Sequence, residues 1–223
     1  MKKSPIVGYY GYWVVPTYCS VVSAVIGMIY AIDGNIGAAL ICLMVCGVCD
    51  MLDGPIARLA KRTDREKTYG IQIDALADII SFGVFPAVIA YGIITNSPAQ
   101  YSGQFGLIIT YAILCAYVLA AHIRLAYFTV IEIELNNRNE KRKYYEGMPV
   151  TTVALILPIV YVVCVQFDLP LSAVYNKMLL LISAAFIVKI KIPKLRLRYL
   201  VGLCLLIGLP LAIIIMLTKN GLI

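Results

Sequence analysis

Asp50-Met51-Leu52-Asp53-Gly54-Pro55-Ile56-Ala57-Arg58, followed after a short basic stretch by Gly70-Ile71-Gln72-Ile73-Asp74-Ala75-Leu76-Ala77-Asp78, puts four carboxylates inside an apolar tract. Both halves have helical spacing. Asp50 and Asp53 are three residues apart, with Gly54 and Ala57 further along the same face, and Gly70, Asp74 and Asp78 recur every four residues. Two such helices facing each other would gather four oxygen-ligand side chains at one place. Ionisable groups at membrane depth are costly and usually functional. Four acids with few cations among them repel one another, so the arrangement asks for a divalent cation.

The surrounding composition makes this a membrane question. Of 223 residues, 61% are hydrophobic, above the apolar share of soluble domains. They come in runs of about twenty, enough to cross a bilayer core as a helix. The expected fold is an all-α integral membrane protein, a bundle of six to seven transmembrane helices behind an N-terminal interfacial segment. It reads as one domain: the interfacial segment over 1–14, a catalytic core over 15–195, and an extra apolar helix within 196–223.

The net charge of +7 matters less than its distribution. Lys and Arg gather at Lys2 and Lys3, Arg58 to Lys67, Arg138 to Lys143, and Lys189 to Arg198, whereas the connections near Asp33, Asn96 and Asp168 lack them. Alternate loops are therefore basic, the positive-inside pattern of a multi-pass protein of the cytoplasmic membrane with its N-terminus and acidic centre facing the cytoplasm. Basic clusters separated by apolar spans do not make a nucleic-acid-binding face. The seven cysteines lie mostly in apolar runs. Cys46-Gly-Val-Cys49 has no second ligand pair and reads as buried packing. No cleavable signal is evident.

In chain order, Tyr9, Tyr10, Tyr12 and Trp13 suit the headgroup level. Spans are expected over 15–32, 36–57, 70–95, 104–128, 150–167 and 172–189, with a seventh over 199–217. Asp33-Gly-Asn marks a tight turn, and Pro86 a bend in the third span. Residues 59–69 are expected as a basic loop, and 131–148 as a surface loop or short amphipathic helix.

The two stripes spell D-x-x-D-G-x-x-A-R, a gap, then G-x-x-x-D-x-x-x-D. This resembles the signature of the CDP-alcohol phosphotransferase family, membrane enzymes that build phospholipids from a CDP-linked donor. Every fixed position is present: Asp50, Asp53, Gly54, Ala57, Arg58, Gly70, Asp74 and Asp78. Eleven residues, 59–69, separate Arg58 from Gly70, more than the family's usual gap, so the loop is expected to bulge into the cytoplasm. Further stretches resemble the phosphatidylserine synthase branch: Asp74 to Ala87 its D-S-x-A-D-x-x-S-F-G-x-x-P-A, Arg124-Leu-Ala-Tyr-Phe its R-L-A-R-F-N, Tyr145-Glu-Gly147-Met-Pro149 its F-x-G-[LM]-P, and Lys189-Ile-Lys-Ile-Pro193 a late S-K-I-K-x-P. Ala75, Tyr127 and Thr129 depart from that branch's Ser, Arg and Asn.

The resemblance implies transfer of a phosphatidyl group from CDP-diacylglycerol to L-serine by a homodimer. Phosphoryl transfer leans on positioning and electrostatics, which carboxylate-held metals provide. Asp50, Asp53 and Asp74 are expected to hold one or two Mg²⁺ or Mn²⁺ ions at the donor phosphates, since oxygen-only ligands favour hard cations over zinc. The resemblance makes Asp78 the general base and a further metal ligand. Asp53, Gly54, Ala57, Arg58, Gly70 and Asp74 would bind the CDP moiety, the small residues letting the nucleotide approach the backbone. Arg58 could contact a phosphate or orient an acid, with the second role favoured. For the acceptor, Arg124 is the candidate for the serine carboxylate, with Ser81, His122 and Glu146 as neighbours. Arg124 could equally be snorkelling to the interface, and His122 could simply pack. Two other readings are a phosphorylated acceptor, glycerol phosphate or inositol phosphate, and a cation-coupled transporter. The first calls for more converging cations than Arg124, and the second for acids repeated in two halves of the chain.

Overall fold

The computed structural model describes residues 7–96, 104–137, 144–189 and 191–193; for 104–105, 136–137, 144–146 and 191–193 it describes the backbone alone. After a 3-10 turn at Tyr12–Val14 come seven helices: α1 Val15–Ile32, α2 Ile36–Leu59, α3 Asp64–Asp78, α4 Phe85–Thr95, α5 Gln104–Asn137, α6 Val153–Gln166 and α7 Leu171–Ile187. A π-helical segment, Ile79–Val84, joins α3 to α4 without a break. Tyr12–Ile32, Ile36–Leu59, Asp64–Thr95 and Gly106–Leu135 are long and apolar enough to cross a membrane, whereas Val150–Gln166 and Leu171–Ile187 are shorter apolar helices. At 17 residues, α7 reaches about 26 Å, the lower edge of the spanning range. The fold is that of an all-α multi-pass membrane protein. The expected seventh span, 199–217, lies outside the described residues, as do the polar positions Ser97, Pro98 and Ser102.

The helix order follows from local signals. Asn35 caps α2 by accepting from the Ala38 N–H at 3.3 Å, after a turn in which Gly34 takes φ +80°. The loop expected over 59–69 shrinks to Ala60–Thr63. Thr63 and Glu66 form a reciprocal capping box, in which the Thr63 N–H donates to Glu66 Oε2 at 2.7 Å and the Glu66 N–H to Thr63 Oγ1 at 3.4 Å. The extra residues of the long gap thus add helix to the start of α3 rather than a bulge, because the box satisfies the first-turn donors. The start of the segment expected as a surface loop or short amphipathic helix, from 131, continues α5 to Asn137. Beyond it, β1 (Tyr144–Glu146) pairs antiparallel with β2 (Lys191–Pro193), matching Glu146 with Lys191. That ribbon was not anticipated.

Around the core, α1 packs on α2, α3 and α4; α5 packs on α7 and α3; and α6 packs on α2 and α7. The backbone of α4 meets α1 at Gly92, where a Cβ would collide with the carbonyl of Ala31, and the Phe85 ring fills the space left by Gly27. Asn96 Nδ2 closes this end by donating to the Gly92 carbonyl at 2.8 Å. Just before Pro86, where a bend was expected, the helix takes the π-helical segment that ends at Val84. Cys46 is buried and its thiol donates to the Ser20 carbonyl at 3.3 Å, a packing role.

Candidate active site

Helices α2 and α3 present their acids to each other. One carboxylate oxygen from each of Asp50, Asp74 and Asp78 lies within 4.8 Å of the others, and all three residues are half-buried. Asp50 is within hydrogen-bonding range of Asp78, and Asp53 of Asp74. Pairing 50 with 78 and 53 with 74 means that the helices run antiparallel, so a three-residue step on α2 meets a four-residue step on α3. The spacing expected to bring four acids together does so. Asp53 joins through Asp74 rather than as a member of the tightest trio.

The face of α2 at Gly54, next to Asp53, opens as a cleft beside the acids. A Cβ added at Gly54 would meet open space, with Arg58 Nη2 at 4.0 Å as its neighbour. Arg58 is exposed in the last turn of α2. Among the described residues it makes no ion pair with the acids, Lys67–Asp64 at 2.9 Å being the pair found. Arg58 thus stands at the edge of the cleft, beside Gly54. A Cβ at Gly70 would lie 3.1 Å from Arg62 Nη1 and 3.3 Å from the Trp13 ring. There the Arg62 guanidinium stands 5.2 Å over Trp13, while Tyr9 and Trp13 meet Tyr69 edge-on. The N-terminal aromatics thus fold over the start of α3.

The acceptor candidates do not converge. Ser81 is fully buried and its hydroxyl shares a 3.0 Å hydrogen bond with that of Ser20. His122 is exposed and lines an apolar groove of about 460 Å³ with Ile79, Ala87 and Leu114. Residues two apart on a helix face different ways, so Arg124 cannot share the direction of His122. Arg124 is buried at 6% exposure, donates from Nη1 to the Phe186 carbonyl at 3.2 Å, and lies 4.4 Å over the Phe128 ring. Glu146 falls in β1, and its side chain lies outside the described residues.

Helix α5 runs opposite to α3 and α4. A Cβ at Gly83 would touch Ala121 at 3.5 Å, and Glu132 is an electrostatic neighbour of Asp74. Arg124, between Ala121 and Glu132, therefore sits at about the depth of Asp78. The proximity of Glu132 was missed because α5 was expected to stop before it. The 121, 124, 128, 132 stripe at helical spacing was the available signal.

The acids fit a hard divalent cation. Ligand oxygens on opposite sides of one ion stand about 4–5 Å apart for metal–oxygen bonds of about 2.0–2.6 Å, the span seen across Asp50, Asp74 and Asp78. The donor set holds oxygen alone, which suits magnesium or manganese better than a thiophilic metal.

The chain is similar in sequence to known proteins. The chain is 39% identical over 124 residues to the CDP-diacylglycerol–serine O-phosphatidyltransferase of Saccharomyces cerevisiae, covering 54% of this chain and 40% of that one. It is 33% identical to the Helicobacter pylori protein of the same name, over 54% of this chain and 43% of that one. It is 28% identical to an archaetidylserine synthase of Methanothermobacter thermautotrophicus, over 77% and 65%. The chain thus spans about half the length of the curated relatives it matches. The model of one family, CDP-alcohol phosphatidyltransferase, matches residues 13–189, which include every acid of the cleft and Arg124. The chain belongs to the CDP-alcohol phosphatidyltransferase family.

Proposed function

We propose that the chain transfers the phosphatidyl group of CDP-diacylglycerol to the hydroxyl of L-serine, giving phosphatidylserine and CMP. The observation that carries this is the meeting of Asp50, Asp74 and Asp78 within 4.8 Å, beside open space at Gly54, in a chain whose relatives are named for serine transfer. The serine oxygen forms a bond to the phosphorus that bears diacylglycerol. The bond from that phosphorus to the bridging oxygen breaks, and its electron pair leaves with CMP. The serine proton passes to Asp78, a carboxylate suited to this if it lies within hydrogen-bond reach of the attacking oxygen.

The family is generally divalent-metal dependent. Asp50, Asp53 and Asp74, with Asp78 as a further ligand, would hold one or two Mg²⁺ or Mn²⁺ ions, which would supply neutralisation of the pyrophosphate charge. Gly54 and Ala57 leave room for the nucleotide against α2, and Gly70 would bring the nucleotide against the Arg62 guanidinium and the Trp13 ring that cover it. Arg58, at the mouth of the cleft, takes a donor phosphate. Arg124 takes the serine carboxylate, supported by its burial at the depth of Asp78, and Glu146 is the proposed partner of the ammonium. Ser81 and His122 have less support, given the Ser20 bond and the outward-facing groove. Arg58, Lys61, Arg62, Arg65 and Lys67 lie between the two acid pairs in the sequence, which supports a cytoplasmic membrane protein whose active site faces the cytoplasm. The family likeness supports a homodimer.

A second reading concerns the donor. The archaetidylserine synthase aligns over 77% of this chain, which favours testing an ether-linked CDP-lipid alongside CDP-diacylglycerol. Detergent-solubilised protein, given either donor, Mn²⁺ and one radiolabelled acceptor at a time, should release CMP with L-serine. Release with glycerol 3-phosphate or inositol phosphate but not serine would overturn the acceptor. No release with any alcohol would favour the transporter.

A further inference from the structure

We propose that Gly147 and Phe128 are positioning residues that aim Arg124, and through it the carboxylate of the amino-acid acceptor; this rests on the serine-transfer reading above. Gly147 is buried just after β1 with φ +81°, a left-handed conformation that side chains disfavour. A Cβ there would stand 2.6 Å from Arg124 Nη1 and 2.8 Å from the Val188 carbonyl oxygen. The guanidinium therefore occupies the space that the missing side chain leaves. Its opposite constraints are the Phe186 carbonyl, which accepts from Nη1 at 3.2 Å, and two ring faces, Phe128 at 4.4 Å and Phe186 at 5.9 Å.

The physical consequence is a cation with one orientation. An arginine side chain carries about 2 kcal/mol of rotamer entropy, and a cage that removes it beforehand spares the acceptor complex that cost. Carbonyl, rings and glycine together also keep a charge at membrane depth that would otherwise snorkel to the surface. A competing role is mechanical: a cation at the C-terminus of α7 is favourable by itself and would tie α5 to α7 without touching substrate. The two roles separate in kinetics, because a mechanical tie has no reason to act on serine alone.

The test measures CMP release against serine concentration at saturating CDP-diacylglycerol, for Gly147→Ala and Phe128→Leu, each alone and in an Arg124→Ala background. Misplacing the guanidinium by an ångström should raise the serine KM about ten- to a hundredfold, with kcat and the donor KM little changed. In the Arg124→Ala background neither change should raise it further, since all act through one group. An unchanged serine KM, or losses shared equally by donor and acceptor, would overturn the positioning role and leave serine transfer standing. A wild-type protein that ignores serine would instead overturn the function. If Gly147→Ala does not accumulate as folded protein, Phe128→Leu, which leaves the backbone alone, decides the matter.

Discussion

The hydroxyl of Tyr117 donates a 2.6 Å hydrogen bond to the main-chain carbonyl of Phe82, inside the π-helical segment Ile79–Val84. Both Tyr117 and Phe82 are fully buried. The segment pairs its backbone five residues back, Phe85 N–H meeting the Ile80 carbonyl, and Pro86 beyond it has no N–H; in an apolar interior an unserved carbonyl is costly. Helix α5 supplies a donor across the interface. The π-helical segment that follows the acids is thus held by a side chain 35 residues further along the chain.

Tyr117→Phe should therefore lower stability by about 1–3 kcal/mol, the cost of leaving a buried polar group unpaired, seen as a fall in the melting temperature in detergent. An unchanged melting temperature would show that the tyrosine acts through packing alone.

Asp78→Asn should reduce turnover by about 10²–10⁴-fold, the usual contribution of a general base, while metal-dependent binding of CDP-diacylglycerol persists. Asp50→Asn should lose that binding. Single-turnover CMP release together with equilibrium donor binding separates the two, and near-normal turnover by Asp78→Asn would remove it as the base.

Gly54 and Gly92 should behave in opposite ways. Space at Gly54 is open, whereas a Cβ at Gly92 collides with the Ala31 backbone. Gly54→Leu should keep the melting temperature and raise the CDP-diacylglycerol KM, because it fills the cleft. Gly92→Ala should destabilise by about 1–3 kcal/mol or more through overpacking.

Chelation with EDTA should abolish CMP release, and Mg²⁺ or Mn²⁺ should restore it, as expected of an oxygen-only carboxylate set. Restoration by zinc alone would contradict that ligand chemistry.

Local rules made much of the molecule legible. The first two helices follow from apolar length and the Asp33-Gly34-Asn35 turn, and the acids from spacing of three and four. The start of α3 was equally readable at Thr63 and Glu66, but the basic composition of 59–69 drew attention away from the capping box. The ribbon was not readable, since pairing 144–146 with 191–193 joins segments separated by two helices.

At Asp50 to Asp78 the sequence by itself determined the chemistry: residue types and helical period put the carboxylates on facing stripes and point to a divalent metal. Side-chain period is local, so it survives any packing of the helices. Only the tertiary structure decided which acids form the tightest group, that Arg58 stands at the edge of the cleft beside Gly54, and that Arg124 is caged while His122 faces outward. Those outcomes depend on how distant helices approach, and on which side chain fills a gap left by a glycine elsewhere in the chain.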